Sequence, residues 1–300
     1  MRSVAGILFL LLALAATLFS LVGIHSAMYE REYVSFLRYV NILAVGPLWM
    51  ISICLLNRSP KAAFAIGATV AICIAGGLSI LQTNASFPAK QWASERECVN
   101  HMKQIGWALH QYEQHYGCLP PAYIPDAKGK PMHSWRVLIL PFLERGEGIY
   151  QKYSFKEPWN GPNNRKLVNE WPAKFYQCPV ADSEPGNTNY LVVVGAGTAW
   201  PGAKSVQMKD IRDTPEKTLL FVEVADSGIN WMEPRDLSFD HMSFHVNGGV
   251  SNSISSYHRG GAMVIFADGG AMIMTNTIRP EMIRAMLTIA GGESLPEGFR

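Results

Sequence analysis

The sequence predicts an α+β fold behind a membrane anchor. N-terminal transmembrane helices lead into one long amphipathic helix packed on a mainly antiparallel sheet. Three observations carry this. Three uncharged apolar runs occupy most of the first 82 residues. One apolar stripe recurs every three or four residues from Cys98 to Tyr116, the period of a helix with one buried face. Short β-branched and aromatic runs follow, the last two joined by Asp268-Gly269-Gly270, a hairpin signal.

The anchor is read over residues 1–82. Its apolar runs are Val4–Ile24, Tyr39–Leu56 and Ala62–Leu81, 18 to 21 residues each. At 1.5 Å per residue, each crosses a hydrocarbon core of about 30 Å. His25-Ser26-Ala27 is a poor cleavage site because it places His at position −3, so the first run is expected to stay in the protein. Arg2 marks the amino terminus as cytoplasmic, and Arg58 with Lys61 does the same for the turn between the second and third runs. Three spans then put residues 83–300 outside. The expected location is therefore the bacterial cytoplasmic (inner) membrane, multi-pass, with the C-terminal domain outside the cytoplasm. No span carries an ionisable residue at mid-depth, which argues against transport.

Charge narrows the function of the second part. Through Gln82 the charged residues are Arg2, Glu30, Arg31, Glu32, Arg38, Arg58 and Lys61. Setting these aside leaves 21 basic and 22 acidic residues. A near-neutral domain without a basic stripe has no electrostatic footprint for nucleic acid.

In the domain read over 83–300, a helix is expected from Ala89 to Tyr116. Cys98, Met102, Ile105, Leu109, Tyr112 and Tyr116 form its stripe, Glu97, Lys103, Gln104, Gln111 and Gln114 its wet face, and Gly117 with Pro120-Pro121 its stop. Ser134–Leu143 reads as a short helical segment and Tyr153–Asn164 as loop. Phe175–Pro179, Tyr190–Val194 and Thr218–Val224 read as strands. Asp226–Gly249 is loop-like. Ala262–Ala267 and Ala271–Thr275 form the hairpin, and Ile278–Ala290 a terminal helix.

Four segments of this domain, in order, resemble one family. They are Cys98-Val99-Asn100-His101-Met102-Lys103-Gln104-Ile105-Gly106 with its continuation to Pro121, Phe175-Tyr176-Gln177-Cys178-Pro179, Trp231-Met232-Glu233-Pro234, and His258-Arg259-Gly260-Gly261 leading to Phe266-Ala267-Asp268-Gly269. Nine residues separate His258 from Asp268. Together they resemble the bacterial prepilin-type processing-associated H-X9-DG proteins, over residues 92 to 276. The resemblance implies a pseudopilin-like α+β domain of unknown biochemical role. The chain departs from the pattern at its amino terminus, which lacks the Gly-Phe-Thr-Leu-Ile-Glu processing site and has three apolar runs where prepilins have one. A fixed anchor fits better than assembly into a fibre.

The chemistry-bearing residues are few. His258 and Asp268 are expected to be structural, with Gly260-Gly261 turning the chain into a strand and Gly269 turning it out. Ten residues, fully extended, would separate the two side chains by roughly 33 Å. Asp240, His241, His245 and His258 are the alternative, a metal site, but the residues around His241 and His245 do not form the helix that would aim both imidazoles one way. There is no Gly-x-Ser-x-Gly elbow and no dinucleotide loop at Gly195-Ala196-Gly197. Cys98, Cys178 and Cys118 lie in a compartment where disulfides persist. A Cys98–Cys178 disulfide is expected, since Cys98 faces the sheet and Cys178 ends a strand-like run, with Cys118 left free.

The functional expectation is non-catalytic: a membrane-anchored extracytoplasmic domain that binds a partner or contributes to envelope structure or secretion. Its expected partners are the cytoplasmic membrane and other envelope proteins, with no cofactor and no metal. A metal-dependent enzyme and a ligand-sensing domain acting through a membrane partner are the alternatives.

Overall fold

The apolar stripe does make a helix. In the computed structural model, which describes residues 95–170, 172–181, 183–249 and 251–293, helix α1 runs over residues 95–116. Cys98, Met102, Ile105 and Leu109 are fully buried. Tyr112 is half-buried and Tyr116 exposed, so the stripe loses its cover in the last turn. Gly117, at φ +76°, closes the helix by donating its N–H to the Glu113 carbonyl at 2.7 Å. The expected spans 4–24, 39–56 and 62–81 lie outside the described residues. Among the described residues no helix is long and apolar enough to cross a membrane.

After α1 come strands β1 (Tyr123–Pro125) and β2 (Pro131–Ser134), an antiparallel pair, then the short helices α2 (Trp135–Leu138), α3 (Glu147–Tyr150) and α4 (Pro172–Phe175). The remaining strands are β3 (Tyr190–Leu191), β4 (Val193–Val194), β5 (Leu219–Glu223), β6 (Leu237–Ser238), β7 (Gly261–Phe266) and β8 (Ala271–Thr275), and helix α5 (Pro280–Leu287) ends the series. The main sheet has the order β3-β5-β7-β8, antiparallel throughout. Strands β4 and β6 form a small parallel pair.

Alternation along β7 explains the layering. Met263 and Ile265 face the cluster that contains Cys98, Met102, Ile105 and Leu109 of α1. Ala262, Val264 and Phe266 face the cluster that contains Ile283, Met286 and Leu287 of α5. All six residues of β7 are buried, as its unbroken apolar sequence requires. At Gly106 α1 lies close over the sheet: a Cβ there would be in van der Waals contact with Ile265 Cγ2, at 3.4 Å. Gly261 opens β7 at φ +152°, where a Cβ would lie 2.0 Å from the Met274 carbonyl oxygen, so the first rung of the hairpin admits only glycine.

Two expectations about elements are corrected. Phe175–Pro179 is not a strand but the end of α4 and a turn. Pro172 opens the helix, and the following backbone is satisfied by Asn189, whose N–H donates to the Tyr176 carbonyl and whose Oδ1 accepts from Cys178 N–H, both at 2.9 Å. The terminal helix is shorter than Ile278–Ala290 because Pro280 sets its first turn after the extended Arg279.

A buried ion pair fixes how α2 meets the sheet. Arg136 is fully buried and donates to the Asp236 carboxylate, to the Tyr190 carbonyl at 3.1 Å and to Ser134 Oγ at 2.9 Å. Asp236 also accepts from Val192 N–H at 3.0 Å and Trp135 Nε1–H at 3.3 Å. Burial pushes the Asp236 carboxyl up to about 6, against the pull of Arg136. Removing one partner of such a pair strands the other in a dry site. Arg136→Met is expected to cost about 3–5 kcal/mol, read as the shift of the denaturant midpoint at unchanged slope.

Candidate functional site

Three of the motif segments converge on one point in the interior. Cys98 comes from the first turn of the described part of α1. Cys178 comes from the turn after α4. His258 lies just before the Gly260-Gly261 turn into β7. Glu223, the last residue of β5, completes the group. The four offer ligand atoms that all lie within 4.8 Å of one another. They are 0% (Cys98), 2% (Cys178), 1% (Glu223) and 7% (His258) exposed, so the cluster is sealed from solvent.

Each side chain is aimed by local structure. On α1, Cys98 shares the buried face with Met102, one turn on. Cys178 is held by its N–H bond to Asn189 Oδ1. Tyr190 stands opposite Glu223 in the β3–β5 register, so both side chains share a face of the sheet. Glu223 Oε2 accepts the Met263 N–H at 3.1 Å, which turns Oε1 toward the cluster. The His258 N–H donates to Ser256 Oγ at 3.0 Å. The imidazole Nε2 then lies 3.1 Å from Cys178 Sγ and 3.8 Å from Glu223 Oε1, while Nδ1 points to Glu95 Oε1 at 4.0 Å without a hydrogen-bond partner. The Tyr190 hydroxyl reaches Cys98 Sγ at 3.5 Å.

Burial and the mutual hydrogen bonds of the cluster set its electrostatics together. The hydrogen bond with Cys98 and then burial push the Cys178 thiol far above its ordinary value, with His258 pulling the other way. Burial raises the Glu223 carboxyl, opposed by the charge of His258. Burial pulls the His258 imidazole down, but its bond to Cys178 and its acidic neighbours Glu223 and Glu95 outweigh that and hold it above its ordinary value. At neutral pH the thiol stays protonated, which makes Cys178 a poor nucleophile as it stands.

The expected site residues fall into three groups. Cys98 and Cys178 do meet, but as free thiols, so the expected disulfide is corrected. The two sulfurs are hydrogen-bonded to one another rather than covalently joined, and each has a further neighbour, His258 Nε2 at 3.1 Å for Cys178 and the Tyr190 hydroxyl at 3.5 Å for Cys98. Cys118 is also free and its thiol donates to the Tyr116 carbonyl at 3.8 Å. His258 and Asp268 sit at opposite ends of β7 and do not meet. Asp268 is exposed and Oδ1 accepts the Gly270 N–H at 2.8 Å, a turn role, with Gly269 at φ +83°. Gly260 takes φ +92° in the other turn. The alternative set Asp240, His241, His245 and His258 is not assembled: the first three are exposed, and among the described residues His258 groups instead with Cys98, Cys178 and Glu223.

Glu223 was missed from the sequence. Its signal is a single carboxylate in an otherwise apolar strand, Leu219-Leu220-Phe221-Val222-Glu223-Val224, where an ionisable group needs a partner. The Trp231 box is structural: Trp231 is buried, stacks on Tyr176 with ring centroids 5.9 Å apart, and donates Nε1–H to the Val168 carbonyl at 3.1 Å.

The two ends of β7 are therefore unequal. His258→Ala strands a buried carboxyl and a thiol and is expected to cost about 1–3 kcal/mol. Asp268→Ala opens an exposed turn and should lower the melting temperature less. Thermal melts of the two variants beside the parent chain decide this.

Residues 89–218 are similar to the family described as Protein of unknown function (DUF1559). That segment includes Cys98 and Cys178 and stops before Glu223 and His258. No curated protein and no solved structure matches the chain.

Proposed function

We propose that the chain is a membrane-anchored extracytoplasmic domain that serves as a non-catalytic binding or envelope-structure module. The observation that carries the non-catalytic half is the sealing of the cluster. The cysteines, the glutamate and the histidine face one another in the interior, where they hold four chain segments together, and none of them fronts a solvent-accessible surface. The membrane half rests on the apolar runs Val4–Ile24, Tyr39–Leu56 and Ala62–Leu81 and on the bias of Arg2, Arg58 and Lys61. The finer likeness to prepilin-type H-X9-DG proteins, with a pseudopilin-like arrangement and a role near a secretion assembly, belongs to the same reading. It draws its support from the His258–Asp268 box, which lies outside the matched segment.

One observation favours a second reading. Cys178, His258 and Glu95 stand in line, with the imidazole between thiol and carboxylate, the order of a nucleophile, a base and its orienting acid. The raised thiol and the closed surroundings count against it. Alkylation with iodoacetamide at neutral pH separates the two. In the folded chain Cys118 should react while Cys98 and Cys178 stay protected. Rapid modification of Cys178 would favour the enzyme.

Topology is tested by fusion. Alkaline phosphatase joined after Ala89 should be active, and joined after Ser59 it should be inactive. The reverse pattern would overturn the orientation.

A further inference from the structure

We propose that Cys98, Cys178, Glu223 and His258 form a four-ligand site for a divalent cation of the zinc class, one that holds the domain together rather than acting on a substrate. The donor set is two sulfurs, one imidazole nitrogen and one carboxylate oxygen. Thiolate with imidazole selects zinc over magnesium or calcium, and four protein ligands in a buried site are the mark of a structural centre.

The geometry fits. Zinc bonds of about 2.3 Å to sulfur and about 2.0–2.2 Å to nitrogen or oxygen place tetrahedral ligands roughly 3.3–3.8 Å from one another. The distances of 3.1 Å from Nε2 to Cys178 Sγ and 3.8 Å from Nε2 to Glu223 Oε1 bracket that range, and all four ligand atoms lie within 4.8 Å. Both short distances involve Nε2, so Nε2 is the ligating nitrogen.

The surroundings are those of a metal centre. Nδ1, buried and without a hydrogen-bond partner, faces Glu95, the placement of a carboxylate that orients a ligating histidine. Glu223 is held by the Met263 N–H through Oε2, which leaves Oε1 as a single-oxygen ligand. The Tyr190 hydroxyl lies against Cys98 Sγ, where it can donate to a thiolate. A disulfide would explain the two cysteines but neither the carboxylate nor the imidazole beside them.

Charge supports the same assignment. Two thiolates and a carboxylate could not share this dry volume unaided. A divalent cation reduces their summed charge to −1, that of a Cys3His centre. Without the cation the groups must hold protons, since a dry site does not keep three like charges together. Binding therefore displaces those protons into solvent, Zn²⁺ taking their place.

The test uses the full chain, purified without chelator and reduced. Elemental analysis should find one zinc per chain. Replacing zinc with Co²⁺ should give the intense visible bands of tetrahedral cobalt and a near-ultraviolet thiolate band. Cys178→Ser and Glu223→Gln should lower bound zinc at least tenfold and change or abolish the cobalt spectrum, while Cys118→Ser should leave both intact. EDTA should lower the melting temperature of the parent chain, and added zinc, but not magnesium, should restore it. If the variants fail to fold, the cobalt spectrum and the EDTA melt of the parent chain still decide. The proposal is overturned if the folded, reduced parent chain binds neither zinc nor cobalt stoichiometrically. It is equally overturned if protein taken from its native compartment has lost two hydrogens to a Cys98–Cys178 disulfide and carries no metal.

Discussion

The described domain depends on one constraint: polar groups from four distant segments must satisfy one another in a single buried volume. Cys98 lies in α1, Cys178 in the turn after α4, Glu223 at the end of β5 and His258 just ahead of β7. None of these contacts is local in sequence. A buried polar group without a partner costs free energy comparable to a lost hydrogen bond or more. The arrangement therefore penalises any packing in which α1 slides along the sheet or β7 slips by a residue. Apolar contacts between Ile105, Leu109, Phe221 and Ile265 supply cohesion, but they are forgiving of small shifts. The cluster is not, and it selects one register among several that hydrophobic burial alone would allow.

Much of the fold could be read from the sequence because the signals were periodic and local. The α1 stripe, the apolar run of β7 and the Asp268-Gly269-Gly270 turn each announce themselves within a dozen residues. Tyr190–Val194 and Thr218–Val224 were also legible, although β3 and β4 break at Val192 so that its N–H can reach Asp236. Phe175–Pro179 misled because its composition is strand-like while its partners are side chains: Tyr176 stacks on Trp231 and Asn189 takes the backbone. No window of the sequence contains that information.

The site was half legible for the same reason. Cys98 and Cys178 could be paired by asking which thiols face the sheet, and that inference placed them correctly while misjudging the bond between them. His258 stood out through its motif, but its motif partner Asp268 pointed the wrong way along β7. The residues His258 actually meets are Cys178, 80 positions earlier, and Glu223, a lone acid inside an apolar strand. Ligands spread over four segments leave no spacing signature of the kind that marks compact zinc motifs, so only the fold could assemble them.

Tyr190 ties this cluster to the other buried polar centre. Its carbonyl accepts from Arg136 Nε at 3.1 Å, which anchors α2 and, through Asp236, the segment before β6. Its hydroxyl lies against Cys98 and donates toward the Gln177 carbonyl at 3.2 Å. A strand of two residues is too short to hold position by ladder bonds alone, since Tyr190 and Leu191 share only two register pairs with β5. It is held instead at both ends of one side chain and backbone, by an ion pair above and by sulfur and carbonyl below. Tyr190 is thus in contact with both buried centres. The motif residues Cys98, Cys178, Trp231 and His258 are turned inward to hold these junctions, while Trp107 on α1 and Tyr257 beside His258 stand more than half exposed.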